Sequence, residues 1–428
     1  MKRPSSLFVN KMTRRLKPKV GKIIRRQKFA LRRVQAILSG QREMMPEHTE
    51  HYGIPRRHVF FGYYDLTPFD EANERILAHS AHDHNRPPAQ GENIEVGFFH
   101  RGISDQFQKI GESSAWSRQQ GCRLQWYPRT SNGKNDLVLY NIETSDGLRA
   151  IVKNTRTLSE EAFLPHALYD VAPDGSFGIS LDFYQLHVHR SHYGYLGPTQ
   201  GNKTNNSLLK TANLFRTDIR TGNIEPLIML SDIANIDPDP TMQGALHHLD
   251  HISISPDGSR FLFFHTWHFD KKKSTRVYIS DSNGTNVRPL GIGNHVSHYA
   301  WIDNTTILAY AWNADCNGRY WGIDLESGER TEVDDEMLRE DGHPSILNGG
   351  MAIITDTYPD PHGYQSLLLH DCKSKHTRLV GRFYSPFAFR GEDRCDLHPR
   401  LSPDGNFVCV DSARCGSRSL YVFPTMTC

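Results

Sequence analysis

Four histidines of this 428-residue chain, His251, His298, His343 and His398, each stand five residues ahead of a chain reversal. The reversals fall at Pro256, Asp303, Asn348 and Pro403, in four successive segments. At the same phase the first segment has Asp65, ahead of Asp70, and the second has Arg123. Imidazoles at one phase of a structural repeat converge on one rim. There they can bind a divalent metal or share proton-transfer duty. The bland reading is that His-Pro at 343–344 and 398–399 is a turn signal, in a chain with 23 histidines.

Further polar groups accompany the rim. Tyr63 and Tyr64 precede Asp65, and Gln125 follows Arg123. His247, His248, His265 and His268 flank His251 in sequence, and Asp393, Arg394 and Asp396 lead into His398. An insertion at 184–206 carries His189, Arg190 and Tyr193. Candidate catalytic groups are therefore His251, His298, His343, His398, Tyr64 and Arg190. Candidate substrate-binding groups are Asp65, Arg123, Gln125, His189, Tyr193 and Arg394. Tyr63 and Tyr64 serve equally well as core aromatics.

The elements that must position these residues are read from an internal repeat. Ala172-Pro173-Asp174-Gly175, Ser255-Pro256-Asp257-Gly258 and Ser402-Pro403-Asp404-Gly405 each precede an apolar strand. Proline fixes φ and glycine accepts φ > 0, so these are turns with a mechanism. Degenerate copies at 68–80, 127–141, 302–312 and 346–356 raise the count of turn-plus-strand units to seven. Polar reversals such as Asp218–Gly222 and Asp324–Gly328 mark outer hairpins. Four-stranded units at this spacing predict an all-β, seven-bladed β-propeller over 56–424. A propeller also escapes the ceiling of roughly 250–300 residues on a single core, because each blade has its own. Residues 184–206 break the rhythm between the third and fourth turns, as binding loops and lids do.

The charge is asymmetric. Residues 1–45 hold 14 Lys/Arg and one acid, Glu43, which leaves 36 basic against 47 acidic groups in the remainder. Residues 1–50 read as a basic amphipathic helical tail. Val20, Ile23, Ile24, Leu31, Val34, Ile37 and Leu38 recur at helical spacing, and Lys19, Lys22, Arg25, Arg26, Lys28, Arg32 and Arg33 fill most of the other face. Such a helix suits an anionic membrane surface, a partner protein or a solvated arm. Without an aromatic stacking platform, nucleic acid is the weaker partner. No run of 18 apolar residues is present, and the seven cysteines form no CxxC pair. With no apolar leader segment, a cytoplasmic protein, peripheral at the inner membrane surface, is expected. The absence of a P-loop or GxGxxG argues against a nucleotide cofactor.

The runs HHLDHISISPDGSRFLFFH, HYAWID, GHPSILNGGMAIITDTYPD and DLHPRLSPDGNFVCVDS, spanning 247–412 with gaps, resemble the oligogalacturonate lyases. More broadly they resemble propeller polysaccharide lyases, ulvan lyases included. The resemblance covers the blades and is sharp over 246–424. It implies a divalent cation, typically manganese, on the propeller axis. It places His298 and His398 on ligand positions, with Asp396 and Asp393 where the family has histidine and glutamine. It implies β-elimination on an acidic, uronate-containing glycan. The rival class is a non-catalytic glycan-binding or scaffold propeller of a cell-surface polysaccharide assembly system, since fold alone does not fix function.

Overall fold

The computed structural model describes residues 26–38, 40–82, 86, 88–128, 136–197, 213–270, 272–312, 317–333 and 335–425. The tail ahead of residue 26 and residues 198–206 of the insertion lie outside these. The strands form seven four-stranded antiparallel sheets, the seven blades of a β-propeller. Inner strands begin blades 1 to 7 at Arg57, Gln125, Asp170, Leu246, Val296, Ser345 and Arg400.

The three Pro-Asp-Gly reversals occupy equivalent places between the inner strand and the next. In each, the glycine N–H donates to the carbonyl three residues back, at 2.8–2.9 Å, with glycine φ near +70°. The aspartate caps its own turn: Ser255 and Ser402 donate to Asp257 and Asp404 at 2.6 and 2.7 Å. Inner strands therefore run from one end of the channel to these turns at the other. Segments ahead of the inner strands all lie at the opposite end, here called the mouth.

The ring closes within blade 7. Glu50–Tyr52, ahead of the expected start at 56, supplies its outer strand and pairs antiparallel with Leu420–Val422. Joining the two ends of the chain in one sheet removes a free edge. Tyr52 is fully buried among Phe99, Leu420 and their neighbours.

After the second strand of blade 3, the insertion forms helix α2 (Phe183–His189), capped by Asp182. The tail contributes helix α1 (26–38). No described helix is long and apolar enough to cross a membrane.

Closure by three residues predicts a measurable dependence on Tyr52. Tyr52→Ala should cost about 3–5 kcal/mol in urea unfolding, the usual range for emptying a buried aromatic site. A loss below about 1 kcal/mol would show that the outer strand contributes little.

Candidate functional site

The shared phase has a backbone basis. Arg123, His251 and His398 all adopt left-handed φ, at 56°, 53° and 46°. Non-glycine residues rarely accept this conformation, and it clusters where side chains are aimed for function. At His251 the ladder is interrupted between Asp250 and Ser253, and at His298 between Val296 and His298. Such bulges re-aim a side chain from the sheet into the channel.

Four imidazoles consequently meet at the mouth. The rings of His298 and His343 are 4.3 Å apart, as are those of His343 and His398. Tyr63 lies at the centre, 5.0 Å from the His398 ring and 5.2 Å from that of His251. Tyr64 is 5.7 Å from His298 and 5.3 Å from His343.

On one side of Tyr63, three donor atoms are poised together. His343, His398 and Asp396 each offer a ligand atom within 4.8 Å of the other two, and all three residues are buried. His343 Nε2, His398 Nε2 and Asp396 Oδ1 have no hydrogen-bond partner among the described residues. The outer contacts hold these atoms free. His343 Nδ1 is 2.8 Å from Asp356 Oδ1, and His398 Nδ1 donates to the Gly62 carbonyl at 2.8 Å. Protons on both Nδ1 atoms leave both Nε2 lone pairs exposed, as for imidazole ligands oriented from behind. Two imidazoles and a carboxylate fit a divalent cation such as manganese or zinc. Arg394 Nε donates to the other Asp396 oxygen at 2.6 Å, and Arg394 Nη2 to the Tyr193 hydroxyl at 2.9 Å.

On the other side, Asp250 is the hub. Its Oδ2 accepts from Arg190 Nη1 at 2.7 Å and lies 3.2 Å from His251 Nδ1. His251 Nε2 is 2.7 Å from the Tyr63 hydroxyl. Asp250, His251 and Tyr63 thus form a connected polar chain in which the carboxylate fixes the imidazole tautomer. Burial pushes the Tyr63 phenol well above its ordinary value. The insertion closes over both halves: Tyr193 packs edge-on to Tyr63, Arg190 stacks on Tyr193, and Ser191 reaches Glu392.

The other candidates are placed differently. Asp65 is held by Arg123 at 2.9 Å, and Arg123 Nε donates to the Tyr169 carbonyl. Asp65 lines a cavity of about 290 Å³ that runs from Tyr63, Tyr64 and His251 past Ser253 and Ser345, away from the insertion. Gln125 is buried with its amide nitrogen unpartnered among the described residues. His189 stacks on His248, and His248 on His268, beside a separate cavity of about 240 Å³. Asp393 lies 3.8 Å from Arg118 and outside the donor cluster. His298 Nδ1 is 2.9 Å from Asp341 Oδ1. Of the metal positions drawn from the resemblance, His398 and Asp396 share the cluster, and its third member is His343. Sequence reasoning missed Asp250, Asp341, Asp356 and Tyr358. Asp250 and Asp341 stand one and two residues ahead of a rim histidine in sequence, but Asp356 ends the next strand, and none of the three repeats at the histidine phase.

A seven-bladed propeller with a histidine-lined mouth is the class that these features define. Solved oligogalacturonate lyases are among the structures that share the fold. The chain is similar to oligogalacturonate lyase from Vibrio parahaemolyticus at 15% identity and a TM-score of 0.59, over 89% of this chain and 95% of that one. It is similar to an oligogalacturonate lyase in complex with manganese at 17% identity and a TM-score of 0.61, over 90% and 96%. No family model and no curated protein matches by sequence.

Burial of so many imidazoles has a pH signature. Burial drives His251 down to about 3, with Asp250 opposing and Arg190 adding to it. Burial, then His247, takes His265 to about 3 as well. Unfolded histidine titrates near ~6.5. Between those values the unfolded chain binds protons that the folded chain does not, so stability falls as pH falls through this window. Unfolding free energy should therefore decline between pH 6.5 and 4. His251→Asn, a residue that tolerates left-handed φ, should flatten the decline by up to about 1.4 kcal/mol per pH unit. An unchanged slope in the variant would show that His251 is not held neutral.

Proposed function

We propose that this propeller cleaves an acidic, uronate-containing oligosaccharide by β-elimination at the histidine mouth, assisted by a divalent cation. The observation that carries the reading is the convergence beside Arg394 of three ligand atoms without a hydrogen-bond partner among the described residues, His343 Nε2, His398 Nε2 and Asp396 Oδ1. The fold shared with an oligogalacturonate lyase in complex with manganese supports it.

Elimination removes the proton at C5 of a uronate, forms the C4–C5 double bond and breaks the C4–O4 bond. The electron pair of C5–H becomes the new π bond, and that of C4–O4 leaves with O4, which takes a proton. Charge develops on the adjacent carboxylate, so cations must face it. His343, His398 and Asp396 would hold a divalent ion here, and when bound it would supply Lewis-acid neutralisation of that carboxylate. Arg190 and Arg394 bring positive charge to the same mouth. Both guanidiniums are held firmly protonated despite burial, Arg190 chiefly by Asp250 and Arg394 by Tyr193 and Asp396. Tyr63 Oη takes the C5 proton as its own passes to His251 Nε2, and the pair returns a proton to O4. Asp250 steadies the imidazolium formed in between. Tyr193, edge-on to Tyr63, and Tyr358, its ring 5.7 Å from that of His343, wall the space and exclude water, which keeps the chemistry elimination and not hydrolysis.

Ultraviolet absorbance of the unsaturated uronate should rise when the enzyme and manganese meet the right member of a panel of acidic glycans. Tyr63→Phe should lower kcat by about 10²–10⁴-fold, the usual weight of a proton-transfer group, with little change in melting temperature. His343→Gln with His398→Gln should abolish the response to added manganese, and a chelator should mimic it in the parent protein. Tight glycan binding with no absorbance change, manganese present, would leave the non-catalytic glycan-binding or scaffold propeller as the function.

A further inference from the structure

Helix α1 (26–38) is fixed to the propeller by a narrow face. The Phe29 ring lies 5.4 Å from that of Phe387 and 6.4 Å from that of Tyr384. The Arg33 guanidinium stacks 3.7 Å over the Tyr384 ring, and Arg390 lies over Phe29. Ala36 completes the buried stripe, and the following chain is bridged to blade 7 by Glu43 and Arg414 at 2.9 Å.

The opposite face is apolar and open. Leu31, Val34, Ile37 and Leu38 are 61%, 52%, 53% and 82% exposed. At ~100° per residue, Leu31, Val34 and Leu38 point away from the Phe29–Arg33–Ala36 stripe and Ile37 lies at the edge of that apolar face beside Arg26, with Lys28 and Arg32 on the other flank. An apolar stripe between cationic flanks matches the boundary of an anionic bilayer, where acyl chains lie beneath negative headgroups. Four exposed large apolar residues on one helix are also more than scattered surface hydrophobics require.

The position of α1 fixes which end of the propeller such a surface meets. Tyr364, whose ring lies 4.7 Å from the Arg33 guanidinium, begins the third strand of blade 6, and Tyr384 ends its fourth. In a blade whose inner strand starts at the mouth, both of those ends are at the mouth. Phe387 and Arg390 belong to the same connection that carries Arg394 and Asp396 into the site. We propose that α1 seats the propeller on an anionic lipid bilayer with its histidine mouth at the membrane side, so that the glycan reaches the site at the lipid surface. The proposal stands on the helix and its docking, and holds whether the mouth cleaves or only binds.

Co-sedimentation of the full chain with vesicles of phosphatidylglycerol and phosphatidylcholine tests it, against phosphatidylcholine alone. Binding is expected only to the anionic vesicles, and 0.5 M salt should weaken it. L31E/V34E/L38E alters only exposed positions, so the melting temperature should hold while vesicle binding falls at least tenfold. Hydrogen exchange on anionic vesicles should slow at 26–38 and at the mouth segments 184–197 and 385–394. It should not slow at the far-end turns 172–176, 255–259 and 402–405. Undiminished binding by the triple variant would overturn the proposal, as would protection at the far-end turns. Concentration-dependent dimerisation abolished by the variant, without vesicle binding, would overturn it in favour of a second copy on this face.

Discussion

The Asp356 carboxylate joins the two blades on which the donor cluster rests. Its Oδ1 accepts from the backbone N–H of His343 and faces the same residue's Nδ1, both at 2.8 Å. Its Oδ2 accepts from the backbone N–H of His398 at 2.9 Å. Asp356 is 1% exposed, so these bonds compete with no water. A buried carboxylate stripped of its donors costs several kcal/mol, so the arrangement is held firmly. The same contacts fix the His343 tautomer and hold His398 in its left-handed conformation, which together free two Nε2 atoms toward Asp396. Without Asp356, blades 6 and 7 would still form, but the cluster would lose its geometry.

The repeat made the propeller legible because its turn chemistry is local. Proline, aspartate and glycine set backbone angles within four residues, and the structure forms the three turns alike. Counting back from the turn found His251, His298, His343 and His398 for the same reason: equivalent strands put equal phases at equal depth. Asp65 and Arg123 obey that logic too, since neighbouring blades at one phase brought them into an ion pair. The logic fails for groups outside the repeat. Asp356 ends the second strand of blade 6, and Asp341 stands in a connection between blades, so neither has a phase to count. Asp250 sits beside a bulge whose existence no residue type announces. Glu50–Tyr52 is too short a strand to show alternation, and its role depends on where the chain's other end arrives.

Polar burial on this scale trades stability for a prepared site. His251, His298 and His398 are all pushed below their ordinary values, chiefly by burial, whereas His343 is raised because the carboxylates of Asp356, Asp396 and Asp341 together outweigh the effect of burial. Three neutral imidazoles and one that favours its proton therefore stand within a few ångströms. Groups whose environments push them apart can divide acid, base and ligand duties without outside help. Neutral imidazoles are also the form that coordinates a cation, so burial prepares His398 for a cation, whereas the carboxylates around His343 make it the ligand that must release a proton.

The architecture sorts its additions by end. At the far end, each turn is closed by its own aspartate and carries nothing further. The mouth receives α2 with Arg190 and Tyr193, the connection bearing Arg394 and Asp396, and the docked α1. Arg394 ties two of these together, bonding Asp396 on one side and the Tyr193 hydroxyl on the other. Movement of the insertion would thus be felt at the donor cluster through a single guanidinium. Arg190 plays the matching part for the polar chain, bonding Asp250 while stacking on Tyr193. Both halves of the site are tied to one aromatic ring from the insertion, Tyr193, so the docking of the insertion and the geometry of the two halves are coupled.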